Sequence, residues 1–205
     1  MSKTSKKSFY KCLTFEKMLL AHNCAKKNKH KKEIILYEID LETNLVNLIN
    51  EIKLRRYNLG KYREFIIYEP KMRVIKSLPY KDRIVHQWYI EEFIKPYFEK
   101  RFIYDSYACI KNKGSHKAIV RLQKFMRKKK IENSDYYILK CDIKKYFYNI
   151  DCNILLKILQ RFISDNELIS FSKILLKSND SNIGIPIGNY TSQWFANIYL
   201  NELDH

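Results

Sequence analysis

The chain has 205 residues, 46% of them hydrophobic, with only 4 Gly and 4 Pro, so one domain or two packed lobes of mostly regular elements is expected. No apolar run approaches the length of about 18 residues that a membrane span needs, and the basic, polar start does not resemble a secretory signal. We therefore expect no membrane contact and a cytoplasmic protein. The five cysteines have no CxxC spacing, which argues against a disulfide framework.

The formal charge of +17 is concentrated in two stretches of the chain. Residues 1–32 carry ten Lys and one Glu, a net charge of +9, and residues 111–130 carry nine Lys or Arg and no acid, also +9. The remainder sums to 17 − 9 − 9 = −1. Such patches are often only solvated faces, but the 16 tyrosines favour a nucleic-acid partner, since basic groups neutralise phosphates and aromatic rings stack on bases.

Helical spacing of apolar residues predicts three helices in the first half of the chain. Their ranges are 1–32, 41–56 and 81–95. Gly60 is predicted to close the second helix in a left-handed conformation, and Pro96 to kink or restart the third. Between them, the range 62–78 has the pattern of a β-hairpin with a turn at 69–71.

The second half begins with a predicted helix from Ser115, which has a basic face and an apolar stripe. The stripe consists of Ala118, Ile119, Leu122, Phe125 and Met126. From Tyr136 to Ile143 the apolar residues alternate, which predicts a strand that presents Asp142 at its end. Helices are then expected from about Asp151 or Asn153, over 166–177, and from Thr191 or Ser192. The chain is thus predicted to be α+β.

Three features are candidates for chemistry, although each also has an ordinary structural interpretation. Asp142 follows a predicted strand, where a carboxylate can hold Mg²⁺ or simply cap a turn. The loop 184–188 begins and ends with glycine and leads into a helix, so its backbone can approach a phosphate or a template strand. The hairpin and the turn after it carry cations suited to a triphosphate or to solvent. These cations are Arg63, Lys71, Arg73, Lys76, Lys81 and Arg83.

Four segments, in this order, resemble the conserved blocks of bacterial reverse transcriptases. They are RVI…P…DRIVH (73–86), SYA…KGSHKA (106–118), DIKKYF (142–147) and GIPIG with the following TSQ and Asn197 (184–197). The resemblance covers about residues 60–205. It implies the fingers and an incomplete palm of a right-hand polymerase, with the thumb absent: a basic helical extension over 1–58, fingers over 59–135, and partial palm over 136–205 with a fingers-returning helix at about 164–180.

The resemblance also implies roles for individual residues in a two-metal nucleotidyl transfer. Asp142 would be the catalytic metal ligand, with the Ile143 carbonyl beside it, and Mg²⁺ the cofactor. The remaining residues would bind the nucleotide or brace the template. Arg73 and Arg83 would contact the triphosphate or template, Phe147 would exclude a 2′-hydroxyl, Ile187 and Gly188 would line the pocket, and Gln193 and Asn197 would face the template strand or support the pocket.

Two departures from the common family pattern narrow the resemblance. Ile187 stands where many members have Gln, and Gln193 where many have Pro, which is similar to reverse transcriptases of diversity-generating retroelements. In those enzymes this change is linked with error-prone copying at template adenines.

No Asp-Asp pair occurs in the chain, so the second metal-binding element, Tyr-x-Asp-Asp, is missing. We therefore expect the 205 residues to be the N-terminal part of a longer polymerase and inactive by themselves.

The expected partners are template RNA, a DNA primer, deoxynucleoside triphosphates and a small basic accessory protein. Two alternatives remain open. One is a reverse transcriptase of a group II intron, a retron or a phage-defence system. The other is a non-catalytic RNA-binding remnant. The coding sequence after His205 would distinguish this remnant from a polymerase.

Overall fold

A computed structural model of the chain describes residues 8–27, 29, 31–132, 135–176 and 182–205. These residues form nine α-helices and one two-stranded antiparallel sheet, which confirms an α+β architecture that is rich in helix. In the described part of the chain, every helix is too short or too polar to cross a membrane.

The N-terminal part is helical, but it contains more breaks than the sequence predicts. Its elements are a 3₁₀ turn at Tyr10–Cys12, α1 at Phe15–Lys26, α2 at Lys32–Ile39 and α3 at Leu41–Lys53. Thr14 caps α1, because its hydroxyl oxygen accepts a hydrogen bond from the Lys17 amide at 3.4 Å. The single helix predicted over 1–32 is therefore limited to α1 and the turn before it, while residues 1–7 lie outside the described residues.

The prediction that Gly60 closes α3 is wrong. The helix ends at Lys53, and the left-handed residue that follows it is Arg55, with φ 55°. Gly60 is needed for a different reason, since a Cβ at this position would lie 2.7 Å from Asp82 Oδ2. The Gly60 amide donates to that oxygen at 3.2 Å, and the Tyr57 hydroxyl donates to Oδ1 at 2.7 Å. Through these two hydrogen bonds the Asp82 carboxyl anchors the loop that contains Gly60. Burial raises the pKa of this carboxyl.

The predicted hairpin is confirmed. Strand β1, Arg63–Ile67, pairs antiparallel with β2, Arg73–Ser77, in a register that places Phe65 opposite Ile75. Both strands are exposed or only half-buried, so most side chains of the hairpin are accessible.

Helix α4, Tyr80–Tyr89, lies at the centre of the core and packs against α1, α2 and, near the end of the chain, the helix that carries Trp194. It continues through a π-helical turn, Ile90–Ile94, into α5, Lys95–Phe98, so the chain restarts as α-helix around Pro96. Trp88 and Tyr89 are buried, and their polar atoms are satisfied. The Trp88 indole donates to the Cys12 carbonyl at 2.9 Å, and the Tyr89 hydroxyl is 2.7 Å from Ser172 Oγ.

Helix α6, Ser115–Glu132, forms as predicted, but its apolar stripe is not a core face. None of its residues is buried, and Ile119 and Leu122 are 54% and 48% exposed. The spacing of the apolar residues predicts this helix correctly. Burial, however, requires another element against the stripe, and no other helix or strand of the described chain packs extensively on α6.

The prediction of a strand from Tyr136 is wrong, because no strand forms there. Residues 135–143 have no regular secondary structure, and Tyr137 and Leu139 are 99% and 88% exposed. A strand requires a neighbour that accepts and donates its backbone hydrogen bonds. The only sheet among the described residues is the hairpin β1–β2, which leaves the alternating segment unpaired.

The remaining helices are close to their predicted ranges. They are α7 at Cys152–Phe162, α8 at Asn166–Leu176 and α9 at Tyr190–Asp204. Asp151 caps α7, because its carboxylate accepts from the amides of Asn153 at 2.7 Å and Ile154 at 3.0 Å. Helix α9 begins one or two residues earlier than the predicted start at Thr191 or Ser192, after Asn189 as the N-cap. It packs on α4 and α7 and so fixes the loop that precedes it.

Candidate functional site

The glycine loop 184–188 is hydrogen-bonded to the short 3₁₀ turn Tyr146–Asn149. The Ile185 amide donates to the Phe147 carbonyl, and the Gly184 amide donates to the Ile150 carbonyl, each at 2.8 Å. Gly184 has φ 92°, and a Cβ there would lie 3.1 Å from the Tyr148 carbonyl oxygen. A glycine is therefore required by both conformation and contact, and the two sequence-predicted segments lie side by side.

The other end of the same loop is joined to the hairpin. The Lys76 amide of β2 donates to the Ile187 carbonyl at 2.8 Å. Gly188 has φ 128°, and a Cβ there would lie only 2.5 Å from the Lys76 carbonyl oxygen. The hairpin, the glycine loop and the 3₁₀ turn thus meet through backbone contacts, although they are far apart in sequence. We call these three segments the junction.

Side chains at the start of α9 hold the junction against the core. The Asn189 side-chain amide donates to the Tyr62 hydroxyl at 2.6 Å, and His86 Nδ1 lies 2.8 Å from Thr191 Oγ1. Burial lowers the pKa of His86 to about 3, so its imidazole is neutral at ordinary pH. The same histidine lines a cavity of about 100 Å³ together with Arg83 and Gly188. Its Nε2 has no hydrogen-bond partner among the described residues.

Phe147 is half-buried on the 3₁₀ turn and packs against the hydrophobic core. The turn is entered through Lys145, whose φ of 52° is left-handed. The ring of Tyr146 lies 5.8 Å from that of Phe147, and its hydroxyl donates to the Ala196 carbonyl of α9 at 2.7 Å. The turn that carries Phe147 is therefore attached to α9 through Tyr146.

Asp142 and Ile143 lie just before this turn, in the exposed segment 135–143. A carboxylate and a backbone carbonyl are hard oxygen donors, and Mg²⁺ is usually held by one or two carboxylates together with substrate phosphates. In the described part of the chain, no three His, Cys, Asp or Glu residues are grouped so that they could hold a metal. The donors present fit, in kind, a single Mg²⁺ shared with phosphates, but they do not make up a two-metal site.

The two predicted phosphate-binding arginines have different surroundings. Arg73 begins β2, is exposed and is paired in register with Ile67. Arg83 donates from Nε to the Leu78 carbonyl at 3.1 Å and forms an ion pair with Glu33. Arg83 therefore supports the start of α4, whereas Arg73 presents its guanidinium at the surface.

The residues predicted to face the template lie on the polar side of α9. Gln193 is exposed, and the Asn197 side-chain amide donates to the Ala108 carbonyl at 2.7 Å. Asn197 therefore connects α9 to the loop before α6. Ile187 is half-buried, and only its backbone carbonyl takes part in the link to Lys76.

Sequence reasoning missed the side chains and amides that hold the junction together. Lys76 was noted only as a cation, yet its backbone amide makes the link to the glycine loop. His86 and Thr191 belong to two of the segments that resemble reverse-transcriptase blocks. This resemblance is the one feature of the sequence that indicates their contact. An exposed cation beside the junction, such as Arg73, can pair with the phosphates of a substrate. No model of a protein family matches the chain, and no curated protein matches it.

Proposed function

We propose that the chain carries the fingers and partial palm of an RNA-directed DNA polymerase, which uses template RNA, a DNA primer, deoxynucleoside triphosphates and Mg²⁺. The observation that supports this proposal is the junction. Three of the four segments that resemble polymerase blocks are separated by many residues, yet they are connected by hydrogen bonds at Phe147–Ile185 and Lys76–Ile187. Such a meeting is what a nucleotide site built from these blocks requires.

Within this proposal, each residue contributes what its position allows. Phe147, fixed on its turn, would lie beneath the sugar of the incoming nucleotide, while the exposed Arg73 would offset the triphosphate charge. Asp142 and the Ile143 carbonyl would hold Mg²⁺, which supplies electrostatic stabilisation of the phosphates when bound. Ile187 and Gly188 would line the pocket, and the missing Cβ of Gly188 allows the backbone of Lys76 to approach the loop closely. Arg83 would act by supporting α4, since its donors are directed to Leu78 and Glu33.

The proposal extends to error-prone copying of a template-repeat RNA in a diversity-generating retroelement, with a small basic accessory protein as partner. Ile187 carries this part, because an aliphatic side chain cannot make the amide hydrogen bonds with which a glutamine would constrain the nascent base pair. Its carbonyl is already bonded to Lys76, so the choice of side chain at this position leaves the backbone link intact.

The nucleotide site can be tested by labelling the protein with a photoreactive deoxynucleoside triphosphate in the presence of Mg²⁺. We expect labelled peptides to come from the junction, and unlabelled deoxynucleotides to compete better than ribonucleotides because the Phe147 ring excludes a 2′-hydroxyl. The variant Phe147→Ala is expected to reduce this discrimination about tenfold. Phe162→Ala, which removes another half-buried ring from α7, should preserve it.

Two results would contradict the proposal. One is labelling that is spread over the whole basic surface and insensitive to Mg²⁺. The other is equal competition by both kinds of nucleotide in the unaltered protein. Either result, combined with retained RNA binding, would favour a non-catalytic RNA-binding protein that has kept the basic surfaces of the chain.

A further inference from the structure

An open groove of about 540 Å³ lies between the loop 104–113 and α6, and it shares no residue with the junction. Its most exposed aromatic residue is Tyr104, at 71%. Lys113 Nζ lies 4.9 Å from the centroid of this ring, and the Arg121 guanidinium carbon lies 5.1 Å from it. An accessible ring thus has two cations close to the distance at which cations and aromatic faces attract each other.

The groups around this ring are held in place by one acid, Asp105. Its carboxylate accepts from Arg121 Nε at 3.0 Å and from the Tyr107 hydroxyl at 2.8 Å. Arg121 also lies 4.4 Å above the ring of Phe125. The Arg121 side chain is therefore oriented before any ligand arrives, which reduces the entropy that binding would cost.

The charge on the groove identifies the kind of ligand that it fits. Its lining includes five cations, Lys111, Lys113, Lys117, Arg121 and Lys124. The stretch 111–130 contains no acid. A ligand that carries several negative charges and a flat ring satisfies both the cations and Tyr104, and a nucleotide strand has this combination. An acidic peptide would satisfy the charges but not the ring, and a duplex would keep its base faces stacked on one another.

We propose that this groove binds single-stranded nucleic acid, with one unpaired base stacked on Tyr104 and the flanking phosphates held by Lys113 and Lys117. The inference goes beyond the proposed polymerase site and does not depend on it, because binding here requires neither a nucleoside triphosphate nor Mg²⁺. It also accounts for α6, which carries a dense positive charge and has no buried residue.

The stacking part is tested by fluorescence anisotropy with the 205-residue protein and a labelled 12-nucleotide strand, in buffer without Mg²⁺ and nucleotides. Tyr104→Leu is expected to lower the affinity about tenfold to a hundredfold, while Tyr104→Phe retains it, because stacking needs only the ring. Tyr68→Leu is the matched control, since Tyr68 is also 71% exposed but lies on the hairpin turn. A strand with abasic positions should bind the unaltered protein as weakly as an intact strand binds Tyr104→Leu.

The phosphate contacts are tested with two charge variants of α6. Lys117→Gln, inside the groove, should reduce the slope of log affinity against log salt by about 0.7, the value for one phosphate contact on a single strand. Lys130→Gln removes the same charge from the same helix outside the groove lining and should leave the slope nearly unchanged. Equal effects of the two variants would indicate diffuse attraction to the helix and overturn the proposal.

Two comparisons complete the test. Duplex DNA is expected to bind at least about tenfold more weakly than the single strand, and binding of duplex equal to that of single strand would refute the stacking arrangement. A preference for RNA over DNA would assign the groove to the template, and the opposite preference to the primer; both support a single-strand site. Strand binding is measured without Mg²⁺ and nucleotides, whereas labelling of the junction needs both, so failure of the polymerase proposal and failure of this one give different results.

Discussion

At the scale of single residues, the site depends on positions where nothing larger than a hydrogen atom fits. Gly188 combines φ 128° with a carbonyl oxygen 2.5 Å from where a Cβ would lie, so a side chain there meets backbone that cannot rotate away. Gly114 also has a positive φ, 150°, but open space surrounds it. The two glycines separate the cost of conformation from the cost of contact.

Gly188→Ala is therefore expected to destabilise the protein by about 2 kcal/mol or more, and to weaken nucleotide labelling because the loop must move away from Lys76. Gly114→Ala, which carries only the conformational strain, should cost about 1 kcal/mol. Urea denaturation of both variants measures the difference. Equal losses would mean that the close approach between the loop and the hairpin is not part of the folded structure in solution.

A second residue-scale prediction concerns the buried His86, whose pKa is lowered to about 3 by burial. In the unfolded chain a histidine titrates near pH 6.5, so the unfolded state takes up this proton first as the pH falls. The stability that depends on neutral His86 is complete above about pH 6.5 and is lost progressively towards pH 3. Between pH 7 and pH 5 the loss should be about 2 kcal/mol.

The measurement compares the free energy of unfolding at pH 7 and pH 5 for the unaltered protein and for His86→Gln. The variant retains a side chain that can hydrogen-bond Thr191 but has nothing to titrate, so its dependence on pH should be flatter by about 2 kcal/mol. Burial raises the pKa of Asp82, which contributes in the opposite direction and is common to both proteins. Parallel pH profiles would place His86 in contact with solvent.

At the scale of elements, the local pattern identified most helices and the hairpin, but it could not decide what each one packs against. Helix α3 and helix α7 were predicted from apolar spacing, and both are present with buried faces. The same rule predicted α6 with an apolar stripe, and this stripe lies exposed. The alternating segment 135–143 has the sequence of a strand but no partner strand in the described chain. Burial and pairing are properties of two elements, so one sequence segment cannot specify them.

The lack of packing on α6 should be visible in its dynamics. Amides of α6 are expected to exchange with solvent at least about a hundredfold faster than those of α4, which lies in the core, because a helix without buried contacts opens without unfolding the rest of the protein. Hydrogen exchange followed by mass spectrometry on peptides from the two helices measures this ratio. Equal protection of α6 and α4 would show that another part of the protein covers α6.

At the scale of the whole molecule, helix packing brings distant segments of the described chain to one place. Helix α4 and helix α9 pack against each other, and the link between His86 and Thr191 fixes the glycine loop at their contact. The sequence contained the candidates Phe147 and Gly188 as members of recognised blocks. It gave no sign of the bond between Lys76 and Ile187, because a backbone hydrogen bond leaves no mark on residue type.

We propose that Asp142, which lies just before the junction, serves RNA-directed DNA synthesis. The most direct measurement is extension of a DNA primer on an RNA template with Mg²⁺, using the protein as its own cell makes it, because two-metal catalysis needs more carboxylates than Asp142. Asp142→Ala should reduce extension by about a thousandfold or more. Asp135→Ala, which removes an exposed carboxylate from the same segment, should leave it unchanged. Undiminished synthesis by Asp142→Ala, or no synthesis by the unaltered protein, would contradict this role of Asp142.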